Sequence, residues 1–212
     1  ISTQDGFDIY ENEYFIPYGF TYDYFMTRDY SDKFSNNERQ HLMLQAILLD
    51  EEQIERHSDI LADINSLASQ DWVFDRNGNL VQNDGTYYPD LSESSYKQHC
   101  LDRAAHSADS FVTDSRGFTS EIDLERENLV FYSIPYDEGW SATVDGEPVQ
   151  IEKVNVGFMA VRVPEGEHTI RFDYDTPGLS MGIWITFGSA GIALLYLLIT
   201  FLYYRYKRQD AL

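Results

Sequence analysis

Residues 118–134 read FTSEIDLERENLVFYSI and contain the two patterns that predict the fold of this chain. From Ser120 to Glu125, core-forming and acidic side chains alternate, which is typical of a strand with one buried face. From Leu129 to Ile134 the residues are almost all apolar, which indicates a strand covered on both faces. A half-buried strand beside a fully buried one predicts a layered β structure.

Strand signals continue beyond this stretch as far as Asp175. The dipeptide Asp145-Gly146 favours a type I′ turn, in which both central residues take positive φ. Six short strands joined by tight turns form a predicted meander that must bury its apolar face, so we expect a β-sandwich. The other predicted strands lie at 140–144, 149–151, 157–163 and 168–175, with tight turns at Gly139 and Gly166.

Residues 1–180 divide into three segments by composition. Residues 1–34 are an aromatic-rich extended region, and residues 35–68 are a helical segment in which Ser35 and Glu38 have the spacing of a capping box. The first predicted helix runs to about Leu49, and a second amphipathic run begins near Asp50. Residues 69–180 are a β-rich domain, best defined over 118–175, with a hairpin turn predicted at Asn77-Gly78.

The C-terminal segment predicts a membrane span. Residues 182–204 carry no formal charge, and a helix of that length covers about 34 Å, enough for the hydrocarbon core of a bilayer. Arg205, Lys207 and Arg208 follow, which indicates a cytoplasmic C-terminus by the positive-inside rule. We therefore expect a transmembrane helix at 181–204, a basic cytoplasmic tail at 205–212 and an extracytoplasmic location for residues 1–180.

The composition argues against a nucleic-acid partner and against a disulfide within the chain. Residues 1–180 hold 35 of the 36 acidic residues and 12 of the 15 basic ones, so a nucleic-acid partner is not expected. Cys100 is the single cysteine, which rules out a disulfide within the chain. Because the chain opens at Ile1 without a signal peptide, we expect membrane helices upstream in a larger protein.

Candidate chemistry in the sequence is sparse. His41 and His57 lack a histidine or carboxylate at the i+4 position, so we expect no metal site there. A catalytic pair of Cys100 with His99 has no acidic partner in a recognisable motif. Paired carboxylates for glycoside hydrolysis remain open, since no spacing singles out two of the many acids. The sequence therefore predicts no catalytic residue, no metal site and no cofactor in this chain.

Aromatic residues are the candidates for contact with a sugar. Tyr18, Tyr22, Tyr136 and Trp140 could stack on sugar rings, but bulky aromatic side chains more often pack inside a domain. Packing is the favoured interpretation for Tyr18, Tyr22 and Trp140, and for Trp140 this means a sandwich anchor.

Three motif elements occur together in order: Tyr-x-x-Gly-Trp and Asp-Gly within 131–146, and Gly-x-His within 164–174. With residues 14–20, the helix near 40–49 and the final apolar run, they resemble the C-terminal part of the bacterial YfhO family of multi-spanning membrane proteins. The motif residues have turn or structural roles in our interpretation, and they are Gly139, Asp145, Gly146, Gly157, Gly166, His168 and Tyr174.

This resemblance implies a membrane protein similar to GT-C glycosyltransferases, which would modify lipoteichoic-acid-type surface polymers from a polyprenyl-phosphate sugar. Enzymes of that class place the catalytic acid in an early extracytoplasmic loop, which this chain does not contain. The implied partners are the bilayer, the N-terminal membrane helices of the same protein, the lipid-linked sugar and a surface glycopolymer. The chain itself would then be accessory rather than catalytic.

Two alternatives to an accessory domain remain open. The chain could be a non-enzymatic, membrane-anchored module that binds carbohydrate or another partner, or an anchored hydrolase with two converging acids. Many membrane spans upstream of Ile1 would favour the transferase, whereas a lone signal peptide would leave the binding module.

Overall fold

The computed structural model describes residues 2–4, 7–68, 72–74 and 80–209. Its strands are β1 (Ser2–Gln4), β2 (Phe7–Ile9), β3 (Phe20–Thr21), β4 (Tyr24–Met26), β5 (Ala46–Leu48), β6 (Ala62–Asp63), β7 (Trp72–Phe74), β8 (Leu80–Gln82), β9 (Ser110–Thr113), β10 (Gly117–Leu124), β11 (Asn128–Pro135), β12 (Trp140–Val144), β13 (Glu147–Val149), β14 (Ile151–Val154), β15 (Phe158–Val163) and β16 (Gly166–Tyr174). Its helices are α1 (Arg28–Ser31), α2 (Asn36–Leu42), α3 (Glu51–His57), α4 (Glu93–Ala105) and α5 (Leu179–Gln209), with a short 3-10 helix at Ile64–Leu67. These elements belong to two compact units, residues 1–173 and 174–212.

Two sheets form a sandwich in the first unit. The five-stranded sheet has the order β13-β12-β16-β10-β9, and the four-stranded sheet has the order β14-β15-β11-β3. The mainly β, sandwich-like fold predicted from the sequence is therefore confirmed. The buried core shared by the two sheets consists of Phe118, Ile122, Leu124, Val130, Tyr132, Ala142, Val144, Met159, Val161, Val163, Ile170 and Phe172.

The strands formed by residues 118–134 are buried as their sequence patterns predict. Ile122 and Leu124 of β10 are buried in the sandwich core, while Asp123 between them is exposed. Strand β11 lies between β15 and β3 and is buried on both faces. Val130 belongs to the sandwich core and Leu129 to a second cluster, as expected of a central strand.

The second cluster joins the four-stranded sheet to the N-terminal third of the chain. Its other side chains come from strand β3, from β4 and β5 of a parallel sheet of order β5-β4-β6, and from Tyr22, Leu49 and Leu61 beside these strands. The segments 1–34 and 35–68 therefore pack on the sandwich within one unit. A third cluster around Met26, Leu42 and Ile64 holds the short helices. The buried members of the second cluster are Phe20, Tyr22, Phe25, Ile47, Leu49, Leu61, Leu129, Phe131, Val154 and Ala160.

The predicted meander is wrong, although the sandwich is right. Between β10 and β16 the chain crosses from one sheet to the other four times, and the single returning strand predicted at 149–151 is two strands, β13 and β14, in different sheets. The alternation of side chains reveals which residues face the core, but the choice of partner strand depends on long-range hydrogen bonds that have no local signature.

The first helix of the segment 35–68 is shorter than predicted. Its N-terminal capping box is confirmed, with both Ser35 and Glu38 side chains bonded to the opposite backbone N–H. The helix ends at Leu42 rather than near Leu49, because Ala46–Leu48 form the buried strand β5. A short apolar run fits a buried strand as well as a helix, and only tertiary packing distinguishes them.

The region 69–117, largely unassigned from sequence, contains two further features. Strands β7 and β8 pair antiparallel, as a hairpin requires, although the predicted Asn77-Gly78 turn lies outside the described residues. Helix α4 begins at the N-cap residue Ser92, and β9 forms an edge of the five-stranded sheet.

The second unit consists mainly of α5. Residues Leu179–Tyr203 form 25 residues of helix long and apolar enough to cross a membrane, and their large side chains are exposed, as Trp184, Phe187 and Ile192 show at 77%, 71% and 72%. In water such exposure would be unfavourable, whereas lipid removes that cost. The prediction of one apolar C-terminal helix is confirmed.

Candidate functional site

A groove of about 680 Å³ lies at the edge of the sandwich. Strands β13 and β14 are each the outermost strand of their sheet, and they meet at Gln150. We call this cavity the edge groove, and its lining residues are Arg56, His57, Glu127, Val144, Asp145, Glu147, Val149, Gln150, Glu152, Arg162, Pro164 and His168.

Glu152 is the buried anchor of the edge groove. It lies on β14 and is only 4% exposed, and helix α3 covers it. Arg56 donates to both carboxylate oxygens, from Nε to Oε1 at 3.1 Å and from Nη2 to Oε2 at 2.8 Å. Gln53 Nε2 donates to Oε2 at 3.1 Å and Gln150 Nε2 to Oε1 at 3.2 Å. His57 Nε2 lies 3.2 Å from Oε1.

These contacts fix the charge of Glu152. Burial by itself would raise the pKa of this carboxyl, but hydrogen bonds from His57, Arg56 and Gln53 outweigh it and lower the pKa to about 2. Glu152 is therefore a permanent carboxylate at physiological pH, suited to holding α3 against β14 and unsuited to donating a proton. His57 Nδ1 is buried without a partner among the described residues.

A second ion-pair cluster closes one side of the edge groove around Arg162. Its guanidinium donates to Glu127 Oε1 at 2.7 Å and to both oxygens of Asp59, the shorter bond being 2.6 Å. It also donates to the backbone carbonyl of Arg56 at 2.9 Å. These contacts raise the pKa of Arg162 and lower those of Asp59 and Glu127, chiefly through the side-chain hydrogen bonds.

Asp145 and His168 form a third pair that lines the groove. Asp145 Oδ2 lies 2.6 Å from His168 Nδ1, and Asp145 Oδ1 accepts from the backbone N–H of Thr169 at 2.9 Å. His168 Nε2 faces the carbonyl oxygen of Glu165 at 3.2 Å. Because both ring nitrogens face acceptors, the doubly protonated imidazolium fits best, and the hydrogen bond to Asp145 raises the pKa of His168.

The carboxylates of the edge groove are paired with donors. Glu152, Asp145 and Glu127 are each held as carboxylates by cationic or N–H donors. Among the described residues no group of three or more His, Cys, Asp or Glu has the geometry to hold a metal ion. The groove thus offers a rigid wall of paired charges and hydrogen-bonding groups beside the apolar side chains of Val144, Val149 and Pro164.

Two of the four aromatic candidates lie in the N-terminal region. Tyr22 is 2% exposed and its hydroxyl donates to the carbonyl of Met43 at 2.8 Å, so its ring packs inside the domain, as favoured from the sequence, and is not accessible to a sugar. Tyr18 is 40% exposed and stacks on Phe111 with ring centroids 4.7 Å apart. It stays a candidate for sugar contact.

The other two candidates lie against the sandwich core. Trp140 is half-buried and packs edge-on against Phe118 and Phe172, with centroids 5.8 and 6.3 Å away. Tyr136 also packs on that core, with Lys153 Nζ 5.6 Å from its ring centroid. The structure places Trp140 as the anchor favoured from the sequence, and sugar contact by either residue stays a prediction.

The motif glycines lie in turns. Asp145 and Gly146 have φ of 53° and 86°, as a type I′ turn between β12 and β13 requires. Gly166 has a φ of 112° at the start of β16, and the N–H of Gly139 donates to Asp137 Oδ1 at 2.9 Å. Gly157 closes the β14–β15 turn by donating to the carbonyl of Val154 at 3.0 Å. The last motif residue, Tyr174, ends β16.

Sequence reasoning missed most of the edge groove. Arg56 and Glu152 are 96 positions apart, and nothing in their local sequence connects them. The one available signal was Glu152 itself, an acidic residue at an inward position of a strand; its neighbour Lys153 is exposed. A buried carboxylate of this kind requires a cationic partner.

Comparisons with known proteins agree on one family. Residues 89–186 match the family described as "Bacterial membrane protein YfhO". A Bacillus subtilis (strain 168) protein named "Uncharacterized protein YfhO" is 25% identical over 125 residues, which cover 58% of this chain and 14% of that protein. The chain therefore spans a small part of this curated relative. The matched region contains Asp145, Glu152, Arg162 and His168 of the edge groove.

Proposed function

With residues 89–186 identified as a YfhO-family membrane protein region, we propose that the chain is an extracytoplasmic accessory domain with its adjoining membrane span. In this proposal the complete protein transfers sugar from a polyprenyl phosphate to a cell-surface polymer of the lipoteichoic-acid type. The sandwich positions the acceptor or the donor, and the chemistry takes place in parts of the protein beyond this chain.

The order of elements supports the membrane part of the proposal. Strand β16 ends at Tyr174, and α5 begins at Leu179 after a short connection. The cations that follow the span, Arg205, Lys207 and Arg208, favour a cytoplasmic end for α5. The sandwich then lies on the extracytoplasmic side, where surface polymers are assembled.

The edge groove carries the accessory part of the proposal. Its volume falls within the range of about 300–1,000 Å³ that is usual for ligand sites, and hydrogen bonds hold its polar side chains in place. Its buried carboxylate has a pKa lowered to about 2, whereas a general acid for glycosyl chemistry needs a raised pKa. A rigid groove of this kind suits holding a substrate better than reacting with it.

A non-enzymatic, membrane-anchored carbohydrate-binding or interaction module is the second candidate. The edge groove favours it to the same extent, because a binding site serves either role. The two candidates differ in whether the complete protein transfers sugar at all.

The test compares the complete YfhO-like protein with residues 1–212 alone, each in lipid nanodiscs. Both receive a polyprenyl-phosphate sugar labelled in its sugar and purified lipoteichoic acid. We expect transfer by the complete protein and none by the chain alone. Transfer by the chain alone would overturn the division of labour. Polymer binding without transfer by the complete protein would favour the binding module.

A further inference from the structure

We propose that the edge groove binds an uncharged, polyhydroxylated ligand, one or two sugar rings of a glycan, and that it selects against phosphate groups. This inference rests on the proposed function and narrows it: the groove holds sugar rings of the donor or of the polymer, and the phosphate groups of either lie outside it. Four features of the groove carry it: its edge strands, its paired charges, its remaining hydrogen-bonding groups and its apolar strip.

The edge strands exclude a peptide strand as the occupant. An exposed sheet edge often binds an extended peptide through backbone hydrogen bonds. Strand β13 consists of Glu147, Pro148 and Val149, and proline has no N–H to donate, so the edge is blocked in the way that natural proteins protect edge strands. Strand β14 is covered by α3 through the contacts of Glu152. The occupant is therefore recognised by side chains.

The charges in the groove disfavour an ionic ligand of either sign. Glu127, Asp145, Glu147 and Glu152 would repel a phosphate, and the arginines that could attract one are already bound to carboxylates. A cationic ligand would meet Arg56, Arg162 and the protonated form of His168. Since the whole chain carries a formal net charge of −21, long-range electrostatics also oppose a polyanion.

The groups that remain available suit hydroxyls. Glu147 at the rim is exposed and presents a carboxylate acceptor. Gln150 uses its amide N–H on Glu152, which leaves the amide oxygen as an acceptor. Arg56 Nη1 lies 4.0 Å from Glu52 Oε2, and its N–H groups can donate to a hydroxyl. Donors and acceptors side by side match a sugar, because each hydroxyl both donates and accepts.

The apolar strip completes the match to a sugar ring. Val144, Val149 and Pro164 line the groove beside these polar groups. A pyranose has hydroxyls around its rim and C–H groups on its faces, so it can contact both surfaces at once. A flat apolar ligand would leave the polar groups of the wall without partners, which is unfavourable.

The test uses the whole chain in nanodiscs and isothermal titration calorimetry with two probes, chitotetraose, which is neutral, and a short poly(glycerol phosphate), which is anionic. We expect chitotetraose to bind and poly(glycerol phosphate) not to bind. The double variant Glu147→Gln, Gln150→Ala changes exposed rim residues and should weaken chitotetraose binding about tenfold. The matched control Glu138→Gln, Gln40→Ala changes exposed residues outside the groove and should bind as the parent chain does.

The unfolding temperatures of both double variants are measured alongside, and equal values show that the change in binding is not a loss of fold. Binding of poly(glycerol phosphate) alone, or chitotetraose binding that the groove variant leaves intact, would overturn the inference. If instead the groove variant reduces sugar transfer by the complete protein while neither probe binds, the ligand class is wrong and the accessory function stands.

Discussion

Asp145 Oδ2 and His168 Nδ1 lie 2.6 Å apart and join the β12–β13 turn to the neighbouring strand β16. Asp145 has a φ of 53° in that turn, and its second oxygen accepts from the N–H of Thr169. One side chain therefore fixes both a left-handed turn and the orientation of a histidine at the rim of the edge groove.

The first prediction is a pH dependence of stability that comes from His168. Its pKa is raised in the folded chain by the hydrogen bond to Asp145, so folding favours the protonated ring. The stabilisation is complete below the unfolded pKa, near 6.5, and is lost as the pH rises through the folded pKa. Thermal unfolding of the parent chain and of His168→Gln in detergent micelles should differ most near pH 6 and converge in alkaline buffer. A difference that is independent of pH would contradict this account.

The second prediction concerns the charge of Glu152. Glu152→Gln keeps the shape but leaves Arg56 and His57 facing a neutral amide, and we expect a loss of about 2 kcal/mol in the free energy of unfolding. Because the carboxyl pKa is lowered to about 2, this loss should be constant above about pH 5 and shrink as the pH falls toward 2. Glu147→Gln, at an exposed position of the same groove, is the control and should change stability little.

The third prediction concerns backbone strain at Val156. This residue has a φ of 72° in the β14–β15 turn and is 62% exposed. A β-branched side chain is unfavourable there, whereas asparagine tolerates this conformation. Val156→Asn should raise the free energy of unfolding by about 1 kcal/mol. The same change at Val112, 64% exposed on strand β9, should not stabilise the chain, and stabilisation at both sites would refute strain as the cause.

The fourth prediction separates packing from sugar contact at Trp140. Since Trp140 packs against Phe118 and Phe172, Trp140→Ala should lower the free energy of unfolding by about 3 kcal/mol. Tyr10→Ala, at a ring that is 71% exposed, should have little effect. An unchanged stability of Trp140→Ala together with weaker chitotetraose binding would make Trp140 a sugar-stacking residue instead.

The fifth prediction tests the proposed sidedness. Cys100 is buried, and burial raises the pKa of its thiol, so it should react slowly with a membrane-impermeant thiol reagent. In intact bacteria that produce the complete protein, Glu138→Cys should be labelled from outside and Gln209→Cys should be labelled only after lysis. The reverse pattern would place the sandwich in the cytoplasm.

Much of the fold follows from local sequence. The alternation around Ile122 and Leu124, the apolar run of β11, the Asp145-Gly146 turn and the capping box at Ser35 all take the predicted form. Each depends on neighbouring residues, whose preferences for a buried face, a positive φ or a cap are properties of a short segment. The strand Ala46–Leu48 was missed because its short apolar run fits a helix equally well.

The edge groove could not be predicted in this way. Its two main ion pairs join α3 to β14, and Arg162 on β15 to Asp59 beyond α3, across about 100 positions in the chain. No period or motif connects such residues, because they meet only when the N-terminal layer packs on the four-stranded sheet.

By itself, the sequence determined a β-rich region, its turns and one apolar C-terminal helix, because these depend on the period of hydrophobic residues and on local backbone preferences. The tertiary structure alone decided which strands pair, where the chain crosses between the two sheets, and that Glu152 is buried beneath Arg56 and His57. These outcomes depend on long-range hydrogen bonds and on the requirement that a buried charge be paired, and neither is encoded in any single segment.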